Sequence, residues 1–221
     1  MSAIIHVINP NSLRDVTAAI DRAVRAYALP ERCRFECVTL DAGPPGIATQ
    51  RDSDRAAPLV ADFVAAHARE ADGYIIACFS DPGLFAAREL TRHPVLGIGE
   101  TSVRAAAALG RRVGVIAASA SGMERHWRHY RMLGVAECIV GERAIELPVH
   151  ETGDAARALE RLIDTGRALR DIDGADVVVL GCAGMADLRE AVESVLGIPV
   201  VEPCGGAAAA MIATLAAGSG T

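Results

Sequence analysis

Two cysteines set out the chemistry open to this chain. The segments Ala71-Asp72-Gly73-Tyr74-Ile75-Ile76-Ala77-Cys78 and Ala175-Asp176-Val177-Val178-Val179-Leu180-Gly181-Cys182 follow one pattern: Ala-Asp, an apolar run, then Cys. A Pro-Val pair follows each, as Pro94-Val95 and Pro199-Val200. If the two halves of the chain are related by a pseudo-twofold axis, Cys78 and Cys182 face each other across a cleft. A thiolate on one face of a carbon acid and a thiol on the other form the base and acid that inversion requires: one removes the proton, the other returns it from the far side. Phe79-Ser80-Asp81-Pro82-Gly83 reads as a polar turn opening a helix, and Ala183-Gly184-Met185 stands in the same place after Cys182. Helix starts lower a thiol pKa, and their backbone N–H groups are expected to hold the enolate.

The elements that must position these thiols alternate along the chain. Strands are expected at Ala3–Ile8, Arg34–Leu40, Gly73–Cys78 and Val95–Ile98, then again at Arg112–Ala117, Glu137–Val140 (with a continuation over Ala144–Val149), Asp176–Gly181 and Pro199–Val201. Helices fall between them, among them one capped by Ser53 or Asp54, one over Gly122–Leu133, one over Met185–Leu196 and a last one from Gly205. Continuous Val/Ile runs between helices indicate parallel sheets covered on both faces. The expected fold is therefore α/β: two pseudo-symmetric lobes, each a parallel four-stranded sheet flanked by helices, with the active site in the cleft between them. The first lobe spans 1–98, with the C-terminal helix 205–221 packing back on it, and the second spans 99–204. Ligands of such sheets bind beyond the carboxyl ends of the strands.

Loops at those ends supply the candidate binding residues: Asn11 after the first strand, Ile47 in the Pro-Gly loop, Phe79 and Ser80 after Cys78, Ser119 after the fifth strand, and Ala183, Gly184 and Met185 after Cys182. Asn11 and Ser119 are also natural helix caps, and capping is compatible with binding. The remaining cysteines, Cys33, Cys37, Cys138 and Cys204, read as packing residues, Cys138 within a strand. Among the histidines, His126 and His129 share a helix face crowded by three Arg, which reads as a solvated or interface face and disfavours a metal cation. His150 follows a strand and could reach the cleft.

Composition narrows the field. The chain has 221 residues and a formal charge of −6, with 22 basic residues, all of them Arg. Without Lys there is neither a Schiff-base lysine nor a complete G-x-x-x-x-G-K-[ST] phosphate loop. The acidic balance argues against a nucleic-acid partner. No run reaches the ~20 apolar residues of a membrane helix. The N-terminal segment reads as a strand and not an export signal, so free thiols in the cytoplasm are expected. No metal and no organic cofactor are expected.

Taken together, Asn9-Pro10-Asn11-Ser12, Gly43-Pro44, Ala77-Cys78-Phe79-Ser80-Asp81-Pro82-Gly83-Leu84, Pro94-Val95-Leu96-Gly97-Ile98 and Leu180-Gly181-Cys182-Ala183-Gly184-Met185 resemble the hydantoin racemase branch of the Asp/Glu/hydantoin racemase superfamily. The resemblance covers nearly the whole chain. It implies cofactor-independent racemisation by Cys78 and Cys182, a homo-oligomer, and a cyclic ureide as the small-molecule substrate: a 5-substituted hydantoin or allantoin. The amino-acid racemases of the superfamily carry Cys-Asn-Thr at the catalytic cysteines. Cys78-Phe79-Ser80 and Cys182-Ala183-Gly184 depart from that, which argues against aspartate or glutamate. A maleate isomerase-like activity, an amino-acid racemase of the same superfamily and a non-catalytic bilobal binding protein are the other readings. Under the ureide reading, Ile47 and Met185 form an aliphatic wall, while Asn11, Ser80 and Ser119 meet the ring carbonyls and N–H groups.

Overall fold

The computed structural model describes residues 2–29 and 31–218. The last three residues of the expected C-terminal helix, 219–221, lie outside them. The first set of elements is β1 (Ala3–Asn9), α1 (Arg14–Arg25), β2 (Cys33–Thr39), α2 (Gln50–Ala66), β3 (Gly73–Ile76), α3 (Leu84–Leu90) and β4 (Val95–Gly97). Helix α4 (Ile98–Leu109) leads into β5 (Val113–Ala117), α5 (Met123–Leu133), β6 (Ile139–Ala144), α6 (Ala155–Asp171), β7 (Val177–Leu180), α7 (Arg189–Leu196), β8 (Val200–Val201) and α8 (Pro203–Gly218). All pairings within the two sheets are parallel, in the orders β2-β1-β3-β4 and β6-β5-β7-β8. The two halves thus repeat one topology.

Both faces of each sheet are covered, which explains why the strands read as unbroken apolar runs. On β3, Ile75 packs with Val16 and Ile20 of α1 and with Ala207, Ala208 and Met211 of α8. Its neighbours Tyr74 and Ile76 turn the other way, onto Val60 and Val64 of α2 and Leu84 of α3. On β7, Val178 and Leu180 meet Leu162, Leu169 and Val192, whereas Val177 and Val179 meet Val103, Ala106 and Tyr130. Among the described residues, no helix is long and apolar enough to cross a membrane.

The repeated Ala-Asp pair has a structural function. Asp72 accepts the Ile4 N–H (2.8 Å) and donates its own N–H to Ile4 O, which pins β1 beside β3. Asp176 does the same one lobe later, accepting the Arg112 N–H (3.0 Å) and returning its N–H to Arg112 O. The Pro-Val repeat is matched as well: Tyr74 N donates to Pro94 O and Val178 N to Pro199 O, each at 2.9 Å.

Four local expectations are corrected. Thr49, not Ser53 or Asp54, caps α2, because Asp52 three residues on completes a reciprocal box with it. Cys138 ends a 3-10 turn (Ala136–Cys138), and the strand starts only at Ile139. Residues 183–188 form a 3-10 segment, so the α-helix expected from Met185 begins at Arg189. The helix expected over Pro82–Leu90 after the Cys78 turn begins two residues later, at Leu84.

Candidate active site

Four residues stand two positions beyond the ends of four central strands: Asn11 after β1, Cys78 after β3, Ser119 after β5 and Cys182 after β7. All four line one cleft of about 570 Å³, counting the space open to solvent. The repeated topology is what brings them together, because β1 and β3 are the central pair of one sheet and β5 and β7 of the other. Val16, Ile47, Ala48, Phe79, Ser80, Val149 and Ala183 complete much of the wall.

Of the residues expected from sequence, Asn11, Ile47, Phe79, Ser80, Cys78, Ser119, Cys182 and Ala183 therefore reach the cleft. Met185 does not: it is fully buried in the core of the second lobe with Leu180 and Leu188, because the 3-10 winding after Cys182 turns it inward. Gly184 lines a neighbouring concavity, although its N–H still reaches the Cys182 sulfur. His150 lines that same concavity. Cys204 is buried in the core of the first lobe, hydrogen-bonded to Glu202.

Asn11 is a fixed donor. Its Oδ1 accepts from Leu13 N (2.9 Å) and Asn9 Nδ2 (3.1 Å), which leaves its own amide N–H groups for a ligand. Ser119 Oγ accepts from Ser121 N and lies 3.0 Å from Ser121 Oγ, and Ser121 Oγ donates across the cleft mouth to Ala48 O.

The thiols differ from the expectation in one important respect. Both keep part of their surface open, yet protein surrounds them closely enough that burial pushes Cys78 up to about 12 and raises Cys182 as well. Opposing this, the Ser80 N–H and the Arg125 charge favour the Cys78 thiolate, and the Thr152 hydroxyl and Gly184 N–H favour that of Cys182. Burial wins because neither thiol sits on a true α-helix start: α3 begins six residues after Cys78, and only a 3-10 segment follows Cys182. The backbone N–H groups of Ser80 and Gly184 favour the thiolates of Cys78 and Cys182 respectively.

Thr152, which no motif marked, is fully buried with its Oγ1 3.5 Å from Cys182 Sγ. It donates to Val149 O at 2.8 Å. A hydroxyl has a single proton. While Val149 holds it, Thr152 accepts from the Cys182 S–H; rotated onto sulfur, it stabilises the thiolate. Any side chain at residue 184 would collide with Thr152 Oγ1, so Gly184 is what lets this hydroxyl approach.

The His126/His129 face, expected to be solvated or at an interface, is largely covered: His126 is buried and His129 half-buried. His126 lines the cleft, with Nδ1 2.6 Å from Glu142 Oε1 and Nε2 3.4 Å from Ser80 Oγ. His129 Nε2 lies 3.2 Å from Asp81 Oδ2. Asp81 also accepts the N–H groups of Gly99 (2.9 Å) and Glu100 (2.7 Å), so it caps α4 and ties the Cys78 loop to that helix. Burial raises the Asp81 pKa. Its backbone sits at φ 46°, in the left-handed region, a strained conformation of the kind that gathers at functional sites. Gly99 permits this packing, since a Cβ there would overlap the Phe79 carbonyl oxygen. Arg125, also unmarked by the sequence reading, is 8% exposed, lines the cleft and donates from Nε to Ser80 Oγ at 2.9 Å. Among the described residues, no group of three or more His, Cys, Asp or Glu is arranged to hold a metal ion.

Known proteins resemble this chain in sequence and fold. The Asp/Glu/hydantoin racemase family matches over residues 5–211. A hydantoin racemase from Rhizobium meliloti is 33% identical, with 98% of this chain and 90% of that protein aligned. The allantoin racemase of Klebsiella pneumoniae superposes with a TM-score of 0.91 at 32% identity, over 98% of this chain and 89% of the other. Allantoin racemase from Pseudomonas fluorescens gives 0.93 at 26%, over 97% and 92%. With two thiols in matched positions on matched lobes, and with this similarity along almost its whole length, the chain belongs to the Asp/Glu/hydantoin racemase family.

Proposed function

We propose that this protein is a racemase that inverts C5 of a 5-substituted hydantoin or of allantoin by proton transfer between Cys78 and Cys182, with neither metal nor organic cofactor. The observation that carries the reading is the placement of both thiols, one from each lobe, on a single cleft. In the forward step a thiolate takes the C5 proton and the electron pair moves to the adjacent carbonyl oxygen. In the second, the opposite thiol gives its proton to C5 and becomes the thiolate. A cyclic ureide suits this pair because its C5–H lies beside a carbonyl, carries no α-ammonium group and gives an enolate delocalised over a planar ring. The names of the full-length relatives support the substrate class; a 5-alkylhydantoin agrees best with the apolar Val16, Ile47 and Val149 wall. The working form is proposed to be a cytoplasmic homo-oligomer.

The test is polarimetry on separated enantiomers of 5-alkylhydantoins and allantoin, with C5 deuterium exchange followed by NMR. Wild type should racemise both hands. Cys78→Ser and Cys182→Ser should each abolish racemisation, while a single variant still exchanges the C5 proton of one hand, since exchange needs a base on one face only. A Cys182→Ser enzyme racemising near the wild-type rate would remove the two-thiol mechanism.

A further inference from the structure

Resting on the racemase reading, we infer that Arg125 is a catalytic residue whose guanidinium contacts the developing enolate oxygen. The Ser80 and Gly184 N–H groups favour the two thiolates, so they serve the sulfurs and another donor has to meet that oxygen. What remains at the Cys78 end of the cleft is a buried cation. Arg125 Nε is used by Ser80 Oγ, while its Nη1 is buried without any hydrogen-bond partner. Among the described residues no carboxylate forms an ion pair with it, and Asp52 and Glu142 act on its charge only from beyond ion-pair distance. Glu142, a buried acid, has Oε1 2.6 Å from His126 Nδ1, while its Oε2 has no hydrogen-bond partner.

A guanidinium taken out of water with an open donor is costly in the resting protein. The arrangement becomes favourable when negative charge appears beside it, which is what proton removal from C5 produces. Donors fixed in advance where charge develops give the larger part of such stabilisation, because nothing reorganises during the step. The cleft is also asymmetric in the sense this assignment needs. Helix α5 presents Arg125 and His126 to it, whereas its counterpart α1 presents Val16. The oxygen-rich ring edge therefore lies toward α5, and the C5 substituent lies toward Val16, Ile47 and Val149. Ser80 fixes the guanidinium plane from the opposite lobe, which explains a polar side chain directly after the Cys78 turn.

Arg125→Met and Arg125→Lys test the assignment, with both hands of a 5-alkylhydantoin as substrate. Loss of one such donor lowers kcat by about 10²- to 10³-fold. Arg125→Met should show that fall with KM changed less than about threefold, and Arg125→Lys should recover part of the rate. Because the same charge favours the Cys78 thiolate, iodoacetamide alkylation of Cys78 is measured in parallel; its rate should fall by less than about tenfold. Equal factors for kcat and alkylation, or a rise in KM at unchanged kcat, would overturn the assignment. If Arg125→Met does not fold, the wild-type enzyme still decides: the planar anion of imidazolidine-2,4,5-trione should bind at least about 10²-fold more tightly than neutral hydantoin, and equal binding rejects the inference. Absence of racemisation by wild type rejects the proposed function instead, a result distinct from an active enzyme indifferent to Arg125.

Discussion

Replacing Thr152 with valine removes one oxygen and keeps the shape of the side chain. Two partners lose it: the Val149 carbonyl, 2.8 Å away, and the Cys182 sulfur at 3.5 Å. Loss of the neutral bond to Val149 costs about 1 kcal/mol of stability. The effect on Cys182 is larger, since a hydrogen bond to a charged group contributes ~1.5–3 kcal/mol, and 1.36 kcal/mol corresponds to one pKa unit. The Cys182 pKa, already raised by burial, should therefore climb by a further ~1–2 units, which lowers the thiolate population at neutral pH by about 10- to 100-fold. A more basic thiolate is intrinsically more nucleophilic, with a Brønsted slope of about 0.4–0.5, so the net loss in alkylation rate is about 3- to 10-fold. The assay is iodoacetamide alkylation at pH 7.5 in the Cys78→Ser background, with the adduct located by mass spectrometry, alongside C5 deuterium exchange of the hand that Cys182 deprotonates. Thr152→Ser retains the hydroxyl and should stay within about twofold of wild type. Unchanged Cys182 reactivity in Thr152→Val, or equal losses in the serine and valine variants, would refute the assignment of this hydroxyl to the sulfur.

Because both thiols have raised pKa values, the thiolate fraction still climbs with pH beyond neutrality; kcat/KM should keep rising from pH 7 to pH 9 in a buffered rate profile, and a plateau reached by pH 8 would contradict the raised values. Asp81→Asn weakens the cap on α4 and the His129 pair together, so urea unfolding should show a loss of about 2–3 kcal/mol and activity should fall with it. Gly99→Ala should be more damaging to the Cys78 loop than a helix-surface alanine, read as lost activity at unchanged far-UV circular dichroism, since its Cβ would overlap the Phe79 carbonyl. A 5-alkylhydantoin or allantoin should exceed aspartate and glutamate in kcat/KM by at least about 10³-fold, ~4 kcal/mol; comparable turnover of aspartate would change the substrate class.

The strands, the two lobes and the paired thiols were legible because they are local or repeated. Apolar runs mark strands buried on both faces, and the Ala-Asp and Pro-Val repeats mark equivalent sheet positions, where the structure finds matched hydrogen bonds. What escaped depends on contacts between distant segments. Arg125-His126-Trp127-Arg128-His129 has the composition of a solvent-facing helix, and contacts with Ser80 and Asp81 of the other lobe and with Glu142 cover part of it. Thr152 lies in an unremarkable loop until the fold carries it to Cys182. The pKa directions were misjudged because a strand-turn-helix pattern shows where a helix starts only to within a few residues, and a thiol's response to a helix end vanishes over that distance. Met185 was lost to the same uncertainty, one 3-10 segment having rotated it from the wall into the core.

The two thiols occupy equivalent places in the topology but unlike surroundings, Cys78 beside a cation and Cys182 beside a hydroxyl. For a racemase this inequality is constrained by thermodynamics. Enantiomers have equal free energies in solution, so kcat/KM must be the same in both directions however different the two bases are. The asymmetry can surface only in the separate constants: the hand whose bound state is the more stable turns over more slowly and saturates at lower concentration, in strict proportion. Under the proposed two-thiol mechanism the repeated topology supplies two faces, and the unlike side chains around them are free to set how each hand is held without ever biasing which hand accumulates.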